Sequence, residues 1–435
     1  MRRPLLLAAG AFACFGMFWG GWAVATAEVR DYTGLSNAGI GLFLSLSIAA
    51  GGLVSAAAGH RMSRFGTDRL LGGVLMIWGT LSIAASLLPG RYAFVVALAL
   101  TIASGGLVDM AMNAASTVAL GGSPGAVVRF HSLFNTGTLC GAALVAGLLS
   151  SNAPWRLTWL ATGAIAVGFA SATRTRVRDT VVTATTPRPR PAETSPDAAL
   201  ETRGGGALTA SLHAIRDEGL GLIALSFALT AVVEGGIDTW GVLFLRTRLA
   251  TGVLVGAGAY AAGQFIATVT RAAGSPAMRR LGHTRGFVLG SGVAAVCLIV
   301  EATSRSTAVA ACALALAAGG ISLCWPLTMA RLALSDGARS DEQKREPVAA
   351  AASTTVLVAG FTACGYMGWV LGPAVVGTIA DRVGLGGGLV LLGSLGAVAC
   401  VTQVVLLRSS YNGDRMRDSV AGRVPGRPHR DGSCS

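Results

Sequence analysis

An aspartate and an asparagine stand four residues apart, Asp109 and Asn113, inside the otherwise small and apolar stretch GGLVDMAMNAAS (105–116). Two acids with the same spacing, Glu234 and Asp238, lie in VVEGGIDTW (232–240), which ends on Trp240. A spacing of four puts both members of each pair on one helical face. An ionised acid at the centre of a membrane span costs about 2.5–3.5 kcal/mol on insertion scales. No Lys or Arg lies at comparable depth to relieve that cost, the nearest being Arg271. Water or protonation is left, and a carboxyl in a cavity that alternately hydrates and dries takes up and releases a proton. Asp109, Glu234 and Asp238 are therefore candidate proton carriers. The alternative for Asp238 is that it reaches outer water and only Glu234 is enclosed.

Other polar and aromatic side chains fit the same chemistry. The stretches around 113 and 135 turn near Pro124, so Asn113 and Asn135, each 11 residues away, are expected at similar depth on adjoining helices. His131 is then expected one turn nearer the cytoplasm. Together they supply directional hydrogen bonds and a pH-sensitive relay, against a reading in which the amides only join helices and the histidine only caps one. Trp19, Trp22, Trp240, Gln264, Trp325, Tyr366 and Trp369 are candidate lining for a ring-bearing solute, with packing an equal explanation for each.

These residues need elements that hold them in lipid. Of 435 residues, 52% are hydrophobic and 13% charged. A span needs about 20 mostly apolar residues, and twelve such segments are predicted, near 5–29, 38–58, 69–88, 92–120, 131–150, 155–173, 219–245, 252–273, 286–303, 307–330, 348–375 and 385–407. The first begins after Arg2 and Arg3 and runs too long for a signal sequence, whose apolar core is about 7–15 residues, so a retained span is expected. Gly137-x-x-x-Gly141 and Gly368-x-x-x-Gly372 carry the small-residue spacing of close helix contacts.

Lys and Arg accumulate on the cytoplasmic side of short loops. With the N-terminus inside, only Arg30, Arg91, Arg156, Arg246, Arg248, Arg305 and Arg382 of the 34 fall outside, so both termini are expected in the cytoplasm. The net charge of +13 then reflects topology and attraction to anionic lipid, and nucleic acid is not an expected partner. Seven of the eight cysteines lie in spans with no metal-ligand spacing. No metal, cofactor, catalytic residue or enzymatic activity is expected.

The chain divides at a Pro/Gly/Arg-rich linker, 174–218, which cannot bury enough apolar surface to fold alone. Its last part carries Leu208, Leu212 and Ile215 at helical spacing and is a candidate interfacial helix. ALTIASGGLVDMAMN (99–113) and ALALAAGGISLCWPL (313–327) align without a gap at an offset of 214, an internal repeat. The expected organisation is a six-helix bundle over 1–173, the cytoplasmic linker, a related bundle over 219–407 and a basic cytoplasmic tail over 408–435. Such halves rock about a site at their interface.

The stretches FGMFWGGWAVATAEVRDYTGLS, VDMAMNAAS, RFHSLFNTGTLCGA, EGGIDTWGVLFL and GYMGWVLGPAVVGTIADRVGL resemble the major facilitator superfamily, and within it bacterial relatives of the fucose–proton symporter. The resemblance covers almost all of 1–407 and implies an all-α integral membrane fold of twelve transmembrane helices in two pseudo-symmetric six-helix bundles. It also implies gating loops. The family pattern Gly-x-x-x-Asp-Arg-x-Gly after the second span reads Gly59, Ser63, Arg64, Gly66 here, with Ser in place of Asp, and the loop after the eighth span has Arg271, Gly274 and Ser275. In the family that Asp locks one conformation, so the lock is in question at both places. Antiporters of the family carry a proline in the fifth span, which is absent here.

The expected function is secondary active transport of a small organic molecule across a bacterial cytoplasmic membrane, coupled to protons, by a monomer. Export of a metabolite or drug is the first reading. It rests on the partly apolar lining and on the absence of an intramembrane Lys or Arg for an anionic solute. Proton-coupled uptake of a sugar-like solute is the alternative, and a membrane sensor that does not transport is a remote one.

Overall fold

A computed structural model describes residues 3–62, 67–120, 130–180, 204–329, 331–332 and 347–421. All of its regular elements are helical. The first half is α1 (Arg3–Thr33), α2 (Asn37–Met62), α3 (Thr67–Leu87), α4 (Arg91–Ala119), α5 (Ser132–Ser150) and α6 (Leu157–Thr180). A short α7 (Gly204–Asp217) leads to α8 (Gly221–Arg248), α9 (Val253–Leu281), α10 (His283–Thr303) and α11 (Thr307–Met329). The last run, Pro347–Ala421, breaks at Gly384 (φ 82°) into α12 (347–383) and α13 (385–421). Among the described residues ten runs are long and apolar enough to span a membrane; dividing the last at Gly384 and adding the shorter apolar stretch Leu157–Ala172 gives twelve. Gly384 turns the chain because φ near +80° is open to glycine and strained for other residues.

Helices here lack the usual drive of water exclusion, since lipid is as apolar as their side chains. Close backbone contact takes its place. Gly16 and Gly20 of α1 face Gly137 and Gly141 of α5, and a Cβ on any of the four would overlap a backbone carbonyl of the other helix. In the second half, Gly368 and Gly372 of α12 lie against Ala228, Ala231 and Val232 of α8. First packs on fifth in both halves, as the internal repeat requires.

The face of the bundle where α1 begins is called the N-terminal face below. At the opposite face Arg156 donates to the carbonyls of Ala85 and Leu88 at 2.7 Å each, closing the C-terminal end of α3. Its guanidinium also lies over the rings of Phe94 and Tyr32, where cation–π attraction and the helix dipole both favour it. Near the N-terminal face the helical spacing at Leu212 and Ile215 does form a helix, α7. Its Ser211 and Ile215 sit against Gly360 of α12, while Leu212 is exposed.

Candidate functional site

Polar contacts join the halves on both sides of the membrane plane. At the N-terminal half of the interface, Asp109 of α4 accepts a hydrogen bond from the Tyr366 hydroxyl of α12. The Asn113 amide steadies the same carboxylate at 3.0 Å and also bonds the Asp109 carbonyl at 2.9 Å. The four-residue spacing thus sets up the acid within its own helix, and the other half completes it. The Trp325 ring meets Tyr366 edge-on at 6.5 Å and Phe227 at 4.7 Å, so these aromatics form the wall behind the tyrosine. On the same side of the interface, Asn135 of α5 donates to Thr268 of α9 at 3.1 Å.

A second acidic group lies in α8. The helix widens to a π-turn over Ile237–Gly241, and Asp238 sits within it. π-Turns are rare and recur at functional sites. Asp238 accepts from the Tyr260 hydroxyl at 3.1 Å and from Gln264 at 3.5 Å, both on α9. Glu234 lies close enough to act electrostatically on both Tyr260 and Cys324, and the Trp369 ring packs over Gly235 beside it.

At the opposite face the halves meet through charge. Glu28 of α1 receives two hydrogen bonds from Arg246 of α8, at 2.6 and 2.7 Å, and Arg246 also donates to the Val24 carbonyl at 3.2 Å. Asp381, at the end of α12, accepts the backbone N–H groups of Asn37 and Ala38 at 2.9 Å each. Partial burial alone would push its carboxyl up, but the Ser36 hydroxyl and these N–H groups hold it below the usual aspartate range.

Several sequence expectations take a different form. The fourth and fifth spans do not adjoin: α5 packs mainly on α1 and α9, whereas α4 packs on α1, α2 and α3. Asn113 and Asn135 therefore do not make one cluster, because α1 occupies the space that a simple hairpin would close. His131 lies against the Phe12 ring of α1 at 4.8 Å. Trp22 is buried against Phe43 of α2, Trp240 is buried beside Gly377 of α12, and Trp19 is partly buried beside Phe15 and Phe18 of its own helix. Ser63, Arg64 and Gly66 lie outside the described residues. Gly59 falls on α2, and Arg271, Gly274 and Ser275 on α9, with side chains outside the described ones.

One acid was missed. Glu301 of α10 is fully buried, and neither carboxylate oxygen has a hydrogen-bond partner among the described residues. It stands two residues before the end of the predicted span 286–303, where a carboxylate is expected to reach water. The polar pairing of Gln403 with Ser226 at 2.6 Å and Arg331 at 3.1 Å was missed as well.

Twelve apolar helices in two like halves, with acids, amides and phenols gathered between and beside them, define a membrane transporter rather than an enzyme. The sequence model of the Major Facilitator Superfamily matches residues 7–345, and the chain belongs to that family. It is similar to "Membrane protein MosC" of Rhizobium meliloti, 22% identical over 404 residues and covering 92% of this chain and 90% of the relative. Its fold is similar to that of the nucleoside transporter NupG, with TM-score 0.67 at 12% identity over 94% of this chain and 99% of that one. A bacterial homolog of the human lysosomal transporter Spinster, inward-facing and occupied, gives 0.60 at 15% identity over 93% and 96%.

Proposed function

We propose that the protein is a proton-coupled secondary transporter of a small organic molecule in a bacterial cytoplasmic membrane. Residues 1–173 and 219–407 act as the two rocking halves of a monomer, with the N-terminal face in the cytoplasm. The observation that carries this reading is the bond between Asp109 and Tyr366. The acid and its partner belong to different halves, so its surroundings change whenever the halves part. A carboxyl that gains and loses a partner in this way exchanges its proton in step with the cycle. Asp238 and Glu234 are the second proton site, with Asp238 bonded to Tyr260 and Gln264.

Export of a metabolite or drug is the first reading of direction. The aromatic wall of Trp325, Phe227 and Tyr366 suits a partly apolar solute. Uptake of a sugar-like solute is the second reading, favoured by the amides of Asn113, Asn135 and Gln264. Untargeted mass spectrometry of medium and cytosol, with and without the protein, separates the two. Coupling is tested with Asp109→Asn and Glu234→Gln in proteoliposomes. Gradient-driven accumulation should stop while exchange of solute for solute persists; wild-type accumulation in both variants would remove the proton sites from the mechanism.

A further inference from the structure

The family's gating pattern is broken at both places where the sequence leads one to seek it, with Ser63 and Ser275 where an acid is expected. The full pattern, Gly-x-x-x-Asp-Arg-x-Gly, occurs once elsewhere in the chain, as Gly377, Asp381, Arg382 and Gly384 between α12 and α13. That junction lies at the opposite face. There the pattern's acid crosses the interface and takes the first two N–H groups of α2, from Asn37 and Ala38, with both carboxylate oxygens. The first N–H groups of a helix have no partner within it, and they carry the positive end of the helix dipole. A bidentate carboxylate satisfies both needs at once.

The backbone around this contact is built for close approach. A Cβ on Gly377 would overlap the Asn37 carbonyl, and one on Gly41 would overlap the Pro373 carbonyl. Between them the Ala374 N–H donates to the Ser45 hydroxyl at 3.2 Å. Glycines 377 and 41 therefore let α12 and α2 touch along about a full turn, and Asp381 closes the end of that seam. The Pro373 carbonyl faces Gly41 in the crossing helix.

We propose that Asp381 is the latch of the opposite-face gate: its carboxylate caps α2 only while the halves are closed on that face, and so holds the transporter in its opposite-face-closed state. When the halves part on that face, the two N–H groups and the carboxylate separate into water. Glu28 and Arg246 brace the same face from α1 and α8. The inference rests on the alternating access that family membership implies and is independent of the solute and of proton coupling.

The test uses full-length protein in proteoliposomes, with the native cysteines replaced by alanine and a single thiol at Ser45→Cys. Ser45 is 7% exposed and lies within the seam, so a water-soluble maleimide reaches it in proportion to the open fraction. Loss of a carboxylate cap corresponds to about a 2- to 30-fold change in an equilibrium. Asp381→Ala should raise the alkylation rate by that factor, and Asp381→Asn, which keeps one acceptor, by less. Arg382→Gln, which removes the adjoining charge but leaves the cap, should stay within about twofold of the parent. Should the alanine variant not insert, the asparagine variant carries the test alone. An unchanged rate in either acid variant, or an equal rise in Arg382→Gln, overturns the proposal. Neither result depends on transport, so failure here leaves the proton-coupled reading standing and failure of coupling leaves the latch standing.

Discussion

The ion pair Glu28–Arg246 offers a quantitative test of how the opposite face stays closed. Arg246 meets both carboxylate oxygens, at 2.6 and 2.7 Å, and the two side chains are only 18% and 15% exposed. Two unit charges about 4 Å apart attract by about 4 kcal/mol at an effective dielectric near 20. Removing both groups from water takes back much of this. Pairs of comparable closeness across interfaces give coupling energies from about 1.5 kcal/mol upward, against about 0–1 kcal/mol for fully exposed pairs. A coupling near 2 kcal/mol is expected here, or about a 30-fold effect on the closed-to-open ratio at this face. The assay is a double-mutant cycle of Glu28→Gln and Arg246→Gln, read by alkylation of Ser45→Cys. Each single variant should speed the reaction strongly and the double variant should add little more. The exchanged pair, Glu28→Arg with Arg246→Glu, should bring the rate back toward the parent. Single effects that simply add, within about 0.3–0.5 kcal/mol, would show that the pair does not hold the face closed and that its geometry is incidental.

Three further outcomes follow from the packing and the acids. Gly141→Ala places a methyl on the Met17 carbonyl and should cost about 1–3 kcal/mol. Gly147→Ala on the same helix meets nothing within 4 Å and should be neutral or stabilising by up to about 1 kcal/mol; equal thermal midpoints for the two variants would refute the contact argument. Glu301→Met replaces an enclosed acid without a described partner by an apolar chain of similar volume, so the protein should be as stable or more stable, with thermal unfolding as the measure. A large loss of stability would mean that the carboxylate has a structural partner, and a loss of transport at unchanged stability would make Glu301 a working acid. The latch at Asp381 has a pH signature of known sign. Its carboxyl is held below the usual aspartate range when docked, so the closing contribution is complete above that range and fades only as pH falls through the lowered value. Ser45→Cys alkylation attributable to Asp381 should therefore be flat between about pH 5 and 8 and rise only below about pH 4.

The membrane-spanning architecture was legible because lipid leaves a chain few options. Each span must be long, apolar and internally hydrogen-bonded, and all twelve predicted segments correspond to helical chain. The glycine spacings at 137 and 141 and at 368 and 372 were legible for a related reason, since small residues every fourth position mark a helix face that admits another backbone. What the sequence could not give was the neighbour. Asp109 and Asn113 were found together because local spacing joins them, but Tyr366 lies 257 positions away, and only the packing of α4 near α12 brings it to the acid. The same limit explains Asn135, which was expected beside Asn113 and pairs instead with Thr268. The π-turn that holds Asp238 has no signature in composition. Glu301 escaped notice because it lies near the end of a predicted span, and only the packing shows its side chain to be fully buried.

An alternating carrier needs its two closed states within a few kcal/mol of each other, since the solute can shift the balance only by its difference in affinity for them. Asp381 and the Glu28–Arg246 pair both act at the opposite face, each at about 0.5–2 kcal/mol or more by the usual magnitudes of caps and half-buried ion pairs. At the N-terminal half of the interface the described contacts are of another kind. They are single bonds between side chains, Tyr366 to Asp109 and Asn135 to Thr268, and one of them involves a group whose charge can change. The two sides of the cycle are thus biased by different physics. The opposite-face contacts are ionic and insensitive to pH near neutrality in the case of Asp381. The Asp109 contact is strong toward a carboxylate, about 1.5–3 kcal/mol, and weaker toward a carboxylic acid, about 0.5–1.5 kcal/mol. A proton arriving at Asp109 can therefore loosen its own side of the interface without disturbing the other, which is the asymmetry a proton-driven cycle requires.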